Sequence, residues 1–188
     1  MNFVPVTYFV RENALKKIAR PHNGKYISLT NAQKVGFVFD AAIPDSERAV
    51  TYLCHVLRRG NKDFHGIVID SRKKKEKESA LFPDNIKEIT IITREDMNWF
   101  GQPVSEYIDT LASVHYDIFI DLSAPKRRFA LDYILQSIDC RLKIGTDYCK
   151  SDDYDLKITA TKNEENPDEI ISGYVLVKNI LDYLTIIK

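Results

Sequence analysis

Four polar side chains fall where an apolar run stops. Asp40 follows Val35–Phe39, Asp70 follows Gly66–Ile69, and Asp121 with Ser123 follows Ile118–Ile120. Carboxylates at such positions can hold a hard cation or act as general acid and base. The same residues also cap the helix that follows, by accepting from its free N–H groups, so each aspartate carries a structural reading beside the chemical one. Asp121-Leu122-Ser123 is the best ligand candidate, because it opens a helix with Pro125 in its first turn. Lys126, Arg127 and Arg128 come next. Cations there oppose the helix dipole. A bound anion would offset that conflict; a solvated basic face is the plain alternative.

A second group lies in Asp96-Met97-Asn98-Trp99-Phe100-Gly101-Gln102-Pro103, a turn just past the run Ile89–Thr93. With Asn98 beside them, Trp99 and Phe100 could stack on a sugar or base, or fill a protein interface. They could equally seal the core beneath the loop. Other chemistries lack their motifs. No GxGxxG, GxxxxGK[ST] or GxSxG occurs. His22, His55, His65 and His115 are scattered, none of them at a strand's carboxyl end. The cysteines, Cys54, Cys140 and Cys149, are odd in number and show no CxxC or Cys/His spacing. That argues against a disulfide scaffold or structural zinc, and Cys54 reads as a small buried hydrophobe. No metal and no cofactor is expected.

These residues need a scaffold, and the pattern around them supplies one. A helix is expected from Thr7 to Arg20, with Ala14, Leu15, Ile18 and Ala19 on its apolar face. It could pack on the domain, dock a partner, or lie on a membrane surface. Apolar runs then alternate with helical periods. Pro44-Asp45-Ser46 opens a helix carrying Val50, Leu53, Cys54 and Leu57, and Gly60 is its expected stop. Pro103 opens a helix with Val104, Tyr107, Ile108 and Leu111; another carries Phe129, Ala130, Tyr133, Ile134 and Ser137. Arg141–Ile144 is a short strand, and Leu156, Ile158 and Ala160 alternate as an edge strand would. Asn166 as N-cap, Pro167 at N1 and Glu169 at N3 predict the start of a last helix. Its stripe of Ile170, Tyr174, Val177, Leu181 and Leu184 suits core packing, and could also seed a homodimer.

Alternating strands and helices give βαβ units. The expected fold is one three-layer α/β domain over residues 34–188, preceded by an N-terminal helix and connector over 1–33. Its sheet is doubly wound and mainly parallel, with five to six strands, Rossmann-like or flavodoxin-like. A barrel of eight such units needs about 250 residues, against 188 here. Ligands of open parallel sheets bind beyond the carboxyl ends of the strands, where the aspartates fall. The 27 basic residues balance the 27 acidic ones. Neutral charge and the lack of an RNA-binding motif argue against nucleic acid, despite Arg58-Arg59 and the charged run Arg72–Glu78. No apolar run approaches the ~20 residues of a membrane span, and no basic, apolar leader opens the chain; the expected location is cytoplasmic.

Several of these features together resemble a family of small uncharacterised proteins found in Bacteroidetes. They are Ser28-Leu29-Thr30-Asn31-Ala32 before Val35-Gly36, Phe39-Asp40, the Asp96–Pro103 block, Tyr116–Ser123, Ile144-Gly145 and Tyr183–Ile187. That resemblance covers nearly the whole chain and implies no activity. A local stretch, Tyr116-Asp117…Ile120-Asp121-Leu122, a helix, then Arg141…Ile144-Gly145, looks like the amino-terminal half of heptosyltransferase-type glycosyltransferases. The likeness implies an acceptor-binding half or a half-enzyme that assembles with a partner.

The expected function is a ligand-binding or protein-interaction domain without autonomous catalysis. Its surface is the carboxyl edge: Asp40, Asp70, Asn98, Trp99, Phe100, Asp121, Ser123 and Lys126–Arg128. The partner is a small anionic ligand or a protein. The alternative is an enzyme acting on a sugar or phosphorylated metabolite, with Asp121 or Asp40 as base or metal ligand.

Overall fold

β1 (Lys34–Asp40) is buried from Val35 to Asp40. Both of its faces are covered, which is why its apolar residues run on instead of alternating. The same holds for the second halves of β2 (Asp63–Asp70) and β4 (His115–Leu122). With β3 (Ile89–Thr93), β5 (Asp139–Thr146) and β6 (Leu156–Ile158) they form one six-stranded sheet, ordered β3-β2-β1-β4-β5-β6, in which every pairing is parallel. This is the Rossmann order, and its switch point lies between β1 and β4. The structure, a computed structural model, describes residues 6–20, 22, 24–70, 86–123, 129–147, 154–159, 161–163 and 166–186. The charged run at 72–78, Lys126, Arg127, Arg128, Cys149 and Ala160 lie outside the described residues.

Two apolar cores sandwich the sheet. On one face α2 (Ser46–Arg59) and α5 (Gly173–Ile186) bury Val50, Leu53, Leu57, Val177 and Leu184 against Phe37, Phe39 and Ile120. On the other, α3 (Ser105–Ala112) and α4 (Phe129–Ser137) bury Ile108, Leu111, Leu131 and Ile134 against Val38, Ile67 and Phe119. Each fully buried Leu or Phe stabilises this arrangement by about 1.5–3 kcal/mol. The expected three-layer, doubly wound class is therefore the observed one.

α1 (Val6–Ile18) is the outermost element. Ala14, Leu15 and Ile18 lean on the second core, and α1 packs on α4. None of its residues is fully buried, and Val6, Tyr8 and Phe9 face solvent. Among the described residues, no helix is long and apolar enough to cross a membrane.

One local expectation is corrected. Asn166, Pro167 and Glu169 do not begin a helix. They lie in β8 (Asn166–Ile170), which pairs antiparallel with β7 (Thr161–Asn163). The capping pattern is local, and strand pairing overrides it. The helix begins instead at Gly173, where the Val175 N–H reaches Ser172 Oγ at 3.4 Å. Gly173 donates to Pro44 O at 2.8 Å, and a Cβ on it would sit 2.7 Å from the Phe39 ring. Only glycine lets the helix start approach so closely. Ile170 therefore drops out of the stripe, which becomes Leu176, Val177, Ile180, Leu181 and Leu184, all turned to the core. α2 does stop at Gly60, as expected, and the positive φ falls one residue on, at Asn61 (52°). Asparagine tolerates that conformation better than most side chains.

Candidate functional site

The parallel register pairs Val38 with Asp121 and Phe39 with Leu122. Asp40 and Ser123 thus follow side by side at the switch point. All three polar residues are buried: Asp40, Asp121 and Ser123 are at most 1% exposed. Asp40 Oδ1 accepts from the Ala42 N–H at 2.9 Å, and Asp121 Oδ1 accepts from the Ser123 N–H at 3.0 Å. Each aspartate thus turns the chain out of its strand with the same two-residue Asx turn. Asp121 Oδ2 accepts from the Tyr154 hydroxyl. Among the described residues, Ser123 Oγ is a buried side-chain atom without a hydrogen-bond partner. Asp70 is also buried, but it ends β2, opposite Thr93, on the far side of β1 from Asp121. The sheet therefore sets Asp40 between two neighbours, with Asp121 and Ser123 on the β4 side and Asp70 on the β2 side.

The aromatic turn is tightly built. Asp96 Oδ2 accepts from Thr93 N and Oγ1 at 2.8 and 2.9 Å. Met97 bridges to Pro103, and Val104 N donates to Asp96 O at 2.8 Å. The Asn98 side chain, a ligand candidate by sequence, shapes the turn: its Oδ1 accepts from Phe100 N at 3.2 Å and Gln102 N at 3.0 Å. Gly101 supplies the positive φ, 89°, that the turn requires. From α1, Arg11 Nε donates to Phe100 O at 2.8 Å, and its guanidinium lies 5.2 Å from the centre of the Phe129 ring. Phe100 packs against Phe129 at the start of α4, with ring centroids 6.0 Å apart, so the loop leans from the β3 edge back over the second core. Trp99 does not follow it. Its side chain meets the Phe100 ring edge-on and is 72% exposed.

Sequence reasoning missed two partners. Tyr154 lies in the connection between β5 and β6, 33 residues from Asp121, and carried no local signal. Arg11 lies in a helix outside the repeating pattern. Three of the four histidines have polar partners. His22 meets Asp155 at 2.7 Å, His115 meets Asp139 at 3.0 Å, and His65 meets the Tyr116 hydroxyl at 3.3 Å. Burial pushes the thiols of Cys54 and Cys140 up to about 12. At Asp117, burial raises the carboxyl, but the Lys34 and Gln33 N–H groups, with His115 and Arg141, outweigh it and hold the group below its usual range. Among the described residues, no group of three His, Cys, Asp or Glu side chains could hold a metal ion.

No curated protein matches the chain. Among solved structures, it is similar to an exopolyphosphatase-related protein from Bacteroides fragilis, at 18% identity with a TM-score of 0.49. That match covers 97% of this chain, which spans 46% of that protein. The heptosyltransferase likeness has no counterpart in these matches. The resemblance to an uncharacterised family does have one: residues 7–187 match a family of unknown function (DUF6913), and the chain belongs to that family.

Proposed function

We propose that this chain is a binding domain that docks a protein partner at the carboxyl edge of its sheet, with Trp99 as the anchor. One observation carries the reading: a braced turn holds the chain's sole tryptophan 72% exposed. The turn's own polar groups are spent on Asn98, Asp96 and Arg11 contacts. A rigid aromatic that needs no ordering on contact is what interface hot spots favour. The buried carboxylates support the same reading, since Asp40 Oδ1 serves Ala42 and the two oxygens of Asp121 serve Ser123 and Tyr154.

The test uses Trp99 as its own reporter. Partner fractions from the source cells are titrated into the protein while tryptophan emission and acrylamide quenching are followed. Docking shifts the emission to the blue and protects it from quencher. A partner that binds Trp99→Ala as tightly as wild type refutes the anchor role.

A second reading, an enzyme acting on a phosphorylated metabolite, draws on the Ser123 hydroxyl beside Asp121, which has no partner among the described residues. A thermal-shift screen of phosphosugars and divalent cations tests it. A ligand at 100 times its Kd adds about 2.7 kcal/mol, and Asp121→Ala should abolish any such gain.

A further inference from the structure

We infer that the opposite, amino pole of the domain holds a second site, for a small amphipathic anion: a carboxylate on a short alkyl tail. A cavity of about 310 Å³ opens there, between the end of α2, the end of α5 and the segment that leads into β1. That volume falls within the range of small-molecule pockets. Leu29, Val56 and Leu57 give it apolar walls, and Lys62 and Thr185 stand at its polar side. The Lys62 ammonium is held in place, donating to Thr30 O at 2.9 Å and Ala32 O at 2.6 Å. Two carbonyls use two of its three N–H donors, and among the described residues no carboxylate pairs with it.

The sign of the ligand follows from which groups are already used. The last carbonyls of α2 would otherwise attract a donor or a cation. They are taken: Val56 O by Gly60 N, Leu57 O by Lys62 N and Arg58 O by Asn61 N, at 2.9, 3.0 and 2.9 Å. The Thr185 hydroxyl donates to Leu181 O. What remains is an oriented positive charge at the mouth of an apolar recess. An alkyl chain would replace water against Leu29, Val56 and Leu57, and its carboxylate would take the remaining donor of Lys62 in a charge-assisted hydrogen bond.

Octanoate, octanol and octylamine are titrated into the full chain by calorimetry, below their aggregation limits. Saturable one-to-one binding of octanoate is expected, about tenfold tighter than octanol, with no binding of octylamine. Lys62→Met keeps the stem and removes the charge, so octanoate should weaken to the level of octanol. Because Lys62→Met also loses two internal bonds, Val56→Phe serves as the second variant. It fills the recess, leaves Lys62 in place, and should abolish binding of octanoate and octanol alike while circular dichroism stays unchanged. The proposal is overturned if octanoate does not saturate, if octylamine binds as well as octanoate, or if a folded Val56→Phe binds octanoate like wild type.

Discussion

The Tyr154 hydroxyl donates to Asp121 Oδ2, and this one bond ties the connection between β5 and β6 to the end of β4. Asp121 is fully buried, so the bond satisfies an oxygen that water does not reach. Tyr154→Phe should cost about 1–3 kcal/mol, the penalty for leaving a buried polar group short of a partner. In urea the midpoint should fall with an unchanged m-value. An unmoved midpoint would show that the bond contributes nothing.

Gly173 sets a steric limit at the start of α5. An added methyl would press on the Phe39 ring at 2.7 Å and on Ala49 Cβ at 3.2 Å. Overpacking of this kind typically costs about 1–3 kcal/mol. Gly173→Ala should therefore lower the thermal midpoint, whereas Val175→Ala, two residues on and exposed, should stay within about 0.5 kcal/mol of wild type.

Stability should fall in acid through Asp117. Its carboxyl is held low in the folded chain by the Lys34 and Gln33 N–H groups. The unfolded chain therefore takes up that proton at higher pH than the folded one, and the stabilisation is present at neutral pH and lost as pH falls. The stability gap between wild type and Asp117→Asn should be constant above about pH 5 and narrow from about pH 4 downward. A gap that does not vary with pH would remove Asp117 from the acid response.

Cys54 and Cys140 are buried, and both thiols are pushed up to about 12. The nucleophile is the thiolate, so iodoacetamide at pH 8 should leave both unmodified in the folded protein and label both in denaturant. Mass spectrometry with site mapping checks each cysteine separately. Rapid labelling of either one in native buffer would show that its segment opens readily.

The sheet could be read from the sequence because its strands announce themselves. Val35–Phe39 and Ile118–Ile120 run apolar without alternation, as strands covered on both faces must. The strand-end positions of Asp40 and Asp121 followed directly. Which strand neighbours which did not, because βαβ counting permits several orders, and only the observed pairing of β1 with β4 brings Asp40 beside Ser123. The turn-building role of Asn98 was not legible for a related reason. A polar side chain in a turn can serve a ligand or its own backbone, and the choice depends on the turn's geometry. At Asn166-Pro167, a good local cap lost to a pairing that only β7 could provide.

The contact between Gly173 and Phe39 also bears on synthesis. β1 and α2 leave the ribosome early, yet the face of β1 that bears Phe37 and Phe39 is covered partly by α5, which comes from the far end of the described chain. Those two aromatics must wait through most of translation for their cover. Folds completed by such distant pairings close slowly and expose apolar surface meanwhile. The nascent chain should thus carry its strongest chaperone signal at β1, and that signal should end when α5 docks.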